Sequence, residues 1–415
     1  MRILYLSQLM PYPPDSGPKV RQYYTLRYLA QYHEVTLVAF SRPDDPPGAV
    51  EHMQRICAAV LTVPMVRSRV RDVISLAGSW LSRESFIIRR DTVPEMTQLV
   101  KHEIAGGKYE IVQADQLWMA QYGLLGVSSG ALLVLDEHNA CFRIFQRLAQ
   151  GEKNPLKRIA LEREWRALQR YEMRACSRFD RLVTVTEEDR SILEGLIQEP
   201  SLGVEIAKSP TFSTIPICVD TASVPAVRPV DGSQDVLLLG TMFWPPNIEG
   251  TIWLAHHVWP RVRKRLPGAT FTIVGKNPPE VVRSLEREGA GICVTGYIPD
   301  SLPYLERAAA FVVPLFSAGG MRVKIVDGWR WGLPVVSTTI GAEGIRYTDG
   351  ENIIIADDAD EFAAAICNLL EDSELNCRMR QNGRSWVEEK YDWERVYPAW
   401  EDVYRQDEIE KHRSA

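Results

Sequence analysis

A chain of 415 residues, 45% of them hydrophobic, can form two or three domains with cores of their own, and this excludes a disordered protein. A formal net charge of −6 excludes nucleic acid as the main partner, because a phosphate-binding surface needs a basic excess. Cys57, Cys141, Cys176, Cys218, Cys293, Cys367 and Cys377 are scattered and odd in number, with no CxxC pair. They read as reduced thiols of a cytosolic protein, not as a disulfide framework or a zinc site.

The chain opens on an apolar run that stops at Gln8, with Pro11, Pro13 and Pro14 beyond it. That run is too short for a signal peptide and reads as a buried first strand. No stretch approaches the roughly 18 apolar residues of a transmembrane helix. Strands are expected in the first half at Ile3–Leu6, Glu34–Ala39, Ala59–Val63, Ile111–Ala114, Leu132–Asp136 and Arg181–Val185. The second half offers Asp235–Leu239, Thr270–Val274, Gly291–Thr295, Ala310–Val313, Pro334–Ser337 and Asn352–Ile355. Their β-branched, continuously apolar character is that of parallel strands covered on both faces. Helical patterns between them predict repeated βα units and two doubly wound α/β sheets.

Residues 65–90 combine Arg67, Arg69, Arg71, Arg83, Arg89 and Arg90 with Val66, Val70, Val73, Ile74, Leu76, Trp80, Leu81, Phe86, Ile87 and Ile88. A basic amphipathic segment can lie on an anionic membrane; an ordinary acceptor-side helix is the other reading. Residues 205–232 carry Pro210, Pro216, Pro225, Pro229 and Gly232 and read as a linker. The aromatic-rich segment Ser385–Arg405 needs a surface to cover and is expected to cross back to the first domain; the other reading is a helix capping only the second. The domains expected are 1–210 plus 392–415, and 211–391.

The most informative segment runs Ser317-Ala-Gly-Gly-Met-Arg-Val-Lys-Ile-Val-Asp-Gly-Trp-Arg-Trp-Gly-Leu-Pro334. Gly319 and Gly320 allow a tight turn with no Cβ to block a ligand, and Met321 follows. A helix is predicted from Gly320 to Trp331, capped by Gly332 and stopped by Pro334. Its amides would point to the carboxyl end of the sheet, where such folds bind ligands and where a helix start suits a phosphate. Arg322 and Lys324 add cations that oppose the helix dipole, a placement that makes sense with an anion between them. Asp327, a turn later, reads as a contact to sugar hydroxyls or as an ion-pair partner of Lys324.

With these residues in view, the chain resembles the retaining glycosyltransferases of family four, which have the GT-B fold: two Rossmann-like domains facing each other across a cleft. Asp327-Gly-Trp-Arg-Trp-Gly-Leu-Pro-Val-Val336 matches the end of that family's donor-site helix. The family's two glutamates, separated by seven residues, fall at Gly319 and Asp327, so the first is lost and the second is shortened. A subgroup has Gly-Gly-x-Arg-x-Lys there instead, and Arg322 and Lys324 stand in for basic residues missing near Leu239-Gly-Thr-Met242. The resemblance places Gly240, Thr241 and Asn247 near the phosphates, Gly275 under the nucleotide and Tyr297 by the base. In the first domain it places Ser16 and Gly17 near the phosphates and makes His138 an active-site residue that positions the sugar. Thr186-Glu-Glu-Asp189 reads as a helix cap.

The function implied is transfer of a hexosyl-type sugar, with retention, from a nucleotide diphosphate sugar to a glycan, lipid-linked or small-molecule acceptor. No cofactor and no obligatory metal are implied. The location implied is the cytoplasm, at the inner membrane face if residues 65–90 bind lipid. Rival readings are an epimerase or phosphorylase on the same fold, or a non-catalytic nucleotide-sugar-binding protein.

Overall fold

The computed structural model describes residues 1–107, 109–198, 205–317 and 320–405. They form two compact units: Met1–Cys218 joined by the chain from Val396 on, and Val219–Arg395. These divisions lie further along the chain than the 210/211 and 391/392 read from sequence.

The first unit is built on seven parallel strands: β1 (Arg2–Ser7), β2 (Glu34–Ser41), β3 (Ala59–Pro64), β4 (Ile111–Asp115), β5 (Leu132–Glu137), β6 (Arg181–Thr184) and β7 (Thr211–Thr214). Their order is β3-β2-β1-β4-β5-β6-β7. The apolar runs behave as parallel strands must: five of six residues in β1 and all six in β5 are buried. Leu4, Leu6, Val38, Val112 and Leu135 meet Met119, Leu168 and Leu193 from the covering helices in one core. Strand β7 corrects the linker reading. Its Thr-Phe-Ser-Thr sequence has one apolar residue and sits half-buried at the sheet edge, so periodicity does not announce it.

The second unit has six parallel strands: β8 (Asp235–Leu239), β9 (Thr270–Val274), β10 (Ile292–Gly296), β11 (Ala308–Val313), β12 (Val335–Ser337) and β13 (Ile354–Ile355). Their order is β10-β9-β8-β11-β12-β13. Val236, Leu238, Phe271, Ile273, Val312 and Val336 pack against Trp259, Phe362 and Ile366. Both sheets therefore grow outward in opposite directions from a central pair, β1/β4 in one and β8/β11 in the other. Each is a Rossmann-like sheet with a topological switch point.

The aromatic C-terminal segment is not one helix. Helix Ser373–Lys390 belongs to the second unit, and short helices Trp393–Val396 and Ala399–Tyr404 follow. The last of these lies on the first unit. The Tyr404 hydroxyl bonds to Gln113 of β4, Arg181 Nε donates to the Val403 carbonyl at 3.3 Å, and Trp400 stacks under the Arg21 guanidinium at 5.5 Å. Helix Glu187–Gln198 opens with the expected cap: the Asp189 amide donates to Thr186 Oγ1 at 3.0 Å, and that hydroxyl donates to Asp189 Oδ2 at 2.7 Å. Among the described residues, no helix is long and apolar enough to cross a membrane.

Candidate active site

The switch point of the second unit gathers most of the residues singled out from sequence. Gly240 follows β8 and Gly275 follows β9, and the two segments approach so closely that a Cβ on Gly275 would lie 1.9 Å from the Gly240 carbonyl oxygen. Only glycine fits there. Asn247 stands in the first turn of helix Pro245–Trp253. Its Nδ2 donates to the Thr241 carbonyl at 2.9 Å, which fixes the amide so that Oδ1 accepts from Lys324 Nζ at 2.9 Å. A Cβ on Gly240 would meet both Asn247 Nδ2, at 2.9 Å, and Lys324 Nζ, at 3.2 Å. Glycine, amide and ammonium thus converge on one spot beside two helix starts.

The glycine-led helix begins later than predicted, at Val323, and runs to Arg330. Gly320 has φ +74°, a conformation that favours glycine, and Arg322 takes the N-cap position with φ −89° and ψ 77°. Gly319 lies outside the described residues, and Met321 is buried. The reason for the late start is visible in Arg322: its Nη1 donates to the Gly320 carbonyl at 2.8 Å, folding the side chain back along the loop, with Glu343 Oε2 3.8 Å from Nη2. Lys324 remains in the first turn. Burial, with Arg322 as a second cause, pushes its ammonium down to about pKa 8.

Asp327 does not pair with Lys324. Its Oδ1 meets Arg330 Nη2 at 3.0 Å, on the C-terminal side, and Asn247 supplies the partner that Lys324 takes. Burial raises the Asp327 carboxyl, with Arg330 opposing. Gly332, at φ +69°, caps the helix as predicted. Tyr297 stands apart and is 72% exposed. It lines a cavity of about 390 Å³ beyond β10 with Asn277, Arg283, Thr295 and Gly296. Asn277, at φ +57°, shapes that cavity.

In the first unit, His138 follows β5 and is buried. Its Nε2 lies 3.1 Å from Asp115 Oδ1 and its Nδ1 lies 3.1 Å from Gln116 Nε2. The carboxylate can only accept and the amide nitrogen only donate, so the neutral ring carries its proton on Nε2. Asp115 also accepts from the Tyr5 hydroxyl at 2.9 Å and from Gln22. Asp136, one strand over, takes the Arg21 guanidinium at 2.7, 2.8 and 3.0 Å. Burial alone would lower the Arg21 pKa; the Asp136 carboxylate outweighs it and the net direction is up. Gln116 has φ +68° and ψ 156°, a costly backbone for a non-glycine residue. Neither Gln116 nor Asp115 was found from sequence, because their role depends on β4 lying beside β5. Ser16 is exposed at the N-cap of helix Gly17–Tyr32, whose amides it flanks without a side-chain bond.

Residues 233–372 match the family described as Glycosyl transferases group 1, and the match contains Gly240, Asn247, Gly275, Lys324 and Asp327. This chain is a glycosyltransferase that carries a group 1 domain at residues 233–372. An uncharacterized 44.6 kDa protein in the cps region of Klebsiella pneumoniae is 23% identical to the transferase over 96% of this chain and 98% of its own length. A GDP-mannose-dependent α-(1-6)-phosphatidylinositol monomannoside mannosyltransferase of Mycobacterium tuberculosis is 27% identical over 36% of this chain, which spans 42% of that protein. Anabaena Alr3699/HepE, solved in complex with UDP and glucose, has the same fold, with a TM-score of 0.64 at 13% identity over 97% of this chain and 99% of its own. The two parallel Rossmann-like sheets of the transferase are those of the GT-B glycosyltransferases.

Proposed function

We propose that the transferase moves a hexosyl-type sugar from a nucleotide diphosphate sugar to a glycan or lipid-linked acceptor, with retention of configuration and without an obligatory metal. The observation that carries the proposal is the Lys324 ammonium, fixed by Asn247 beside Gly240 at the start of helix Val323–Arg330. A departing diphosphate gains charge as the glycosidic bond breaks. The ammonium, the Arg322 guanidinium and the helix amides are preorganised donors for that charge, and removing one such donor typically costs roughly 10²–10³ in rate. The acceptor hydroxyl attacks the sugar carbon from the face the diphosphate leaves, its proton passing to the departing phosphate oxygen. His138, whose ring is held from both nitrogens, positions the sugar.

The nucleotide complex of Alr3699/HepE supports a nucleoside diphosphate sugar as donor, and the cps-region relative supports polysaccharide assembly as the setting. For the acceptor side, helix Arg69–Ser82 supports peripheral contact with the inner membrane face through residues 65–90. Val70, Val73, Ile74 and Leu81 are exposed on it, Leu81 at 88%, with Arg69 and Arg71 beside them. Arg67, Arg89 and Arg90 are taken by Asp91 and Glu84.

The deciding experiment measures transfer by Arg322→Ala and Lys324→Ala with the anomeric configuration of the product read by NMR. Losses of roughly a hundredfold or more with retention are expected. Turnover within about threefold of the parent in both folded variants, against that scale, refutes the donor site; an inverted product refutes the stereochemistry.

A further inference from the structure

The inner face of β5 carries a second cluster that glycosyl transfer does not use. Side chains alternate along a strand, so Glu137 points away from Asp136 and His138 and into the layer under the helices. It is fully buried, and although the Leu117 amide interacts with it, neither carboxylate oxygen accepts a hydrogen bond of good geometry. A carboxylate so placed costs several kcal/mol unless it is protonated or neutralised by a cation.

Its neighbours are ligands of the right kind. Cys141, in the first turn of helix Cys141–Gly151, and Glu172, near the end of helix Pro155–Cys176, are both buried. One oxygen of Glu137, one of Glu172 and the Cys141 sulfur all lie within 4.8 Å of one another. In a triangle with sides no longer than 4.8 Å, a central ion stands no farther than about 2.8 Å from each corner, so shifts of about 0.5 Å for the sulfur and about 0.7 Å for the oxygens reach zinc–ligand distances. Glu172 is already oriented: Oε1 accepts from the Cys141 amide at 2.7 Å and Oε2 from the Phe142 amide at 2.9 Å. Both oxygens keep a free lone pair for a metal. Those amides open a helix, whose dipole offsets the single negative charge left when three anionic ligands bind a dication.

We infer that Glu137, Cys141 and Glu172 form a buried structural site for a divalent cation, with water as a fourth ligand. One thiolate and two carboxylates select an ion of intermediate softness, of which zinc is the fit. The site fastens the end of β5 to the two helices that cover it. Its ligands belong to the first unit, whereas Asn247, Arg322 and Lys324 belong to the second. No spacing signature announces it, because the three ligands come from a strand and two helices.

The ion enters as the chain folds, so the test loads it during expression. Protein made in medium with cobalt in place of zinc, then dialysed, is expected to hold about one Co²⁺ per chain and to show thiolate-to-cobalt absorption in the near ultraviolet. Cys141→Ser abolishes the band, and Glu137→Gln drops the cobalt content toward zero. X-ray absorption at the zinc edge of the wild-type protein, which needs no variant to fold, is expected to show sulfur and oxygen neighbours together. Wild-type protein that takes up neither metal overturns the inference, as does cobalt bound without a thiolate band or a zinc shell lacking sulfur. A metal-free wild type made more stable by Glu137→Gln also overturns it, and shows Glu137 to be a buried neutral acid.

Discussion

Lys324 Nζ donates to Asn247 Oδ1 at 2.9 Å, tying the first turn of one helix to the first turn of another across the switch point of the second sheet. Asn247 is itself held by the Thr241 carbonyl, so the ammonium has one place to sit. Asn247→Ala leaves the charge and removes its anchor. Turnover is expected to fall about 10- to 100-fold, with folding intact, because misplacing a catalytic group by about 1 Å has that cost. Steady-state kinetics with the parent's donor checks it; an unchanged kcat means that the diphosphate positions Lys324 unaided.

The depressed pKa of Lys324 gives the donor site a pH dependence. Below about pH 8 the ammonium is charged, and nucleotide affinity is expected to be flat. Binding a diphosphate favours the charged form and raises the pKa, so above pH 8 each molecule bound takes up a proton. Affinity then falls by up to about tenfold per pH unit. Calorimetry in buffers of differing ionisation enthalpy should show uptake near pH 9 and none in Lys324→Met. For stability the sign is opposite to that of a gained ion pair. The folded pKa lies below the ordinary 10.5, so the cost of the buried charge is present in full below about pH 8 and is relieved between there and 10.5.

Arg21 and Asp136 are both fully buried and share three short contacts. Arg21 Nη1 also ties the Ile215 and Pro216 carbonyls, after β7, at 2.7 and 3.1 Å. Arg21→Met leaves the Asp136 charge buried and is expected to cost about 3–5 kcal/mol. Removing both charges, as Arg21→Met with Asp136→Leu, should recover most of that. Thermal unfolding of the two variants against the parent decides it.

The exposed stripe Val70, Val73, Ile74 and Leu81 on helix Arg69–Ser82 has the spacing of one helix face. The protein is expected to float with anionic vesicles, less so at high salt, and Val73→Glu with Ile74→Glu is expected to abolish flotation. A parent protein that stays with the soluble fraction at all lipid compositions excludes this contact.

Much of this was legible along the chain. All twelve strands read from apolar runs exist, because a strand covered on both faces must be apolar throughout. The helix that ends at Arg330 was legible because a glycine cap and a following Pro334 are local signals. Local signals failed where the partner is distant. Lys324 pairs with Asn247, 77 positions away, and not with Asp327 one turn on. Strand β7 escaped because an edge strand needs few apolar residues, and the helix start moved to Val323 because Arg322 folds back onto Gly320.

The sequence by itself determined two parallel α/β sheets, the strands that build them and the loop that ends in Arg322 and Lys324. These follow from composition, periodicity and turn chemistry within a few residues of each site. Only the tertiary structure decided which side chains meet: Asn247 with Lys324, Asp115 and Gln116 with His138, and Glu137 with Cys141 and Glu172. Those pairings depend on strand order and helix placement, which fix distances between residues whose separation along the chain carries no such information.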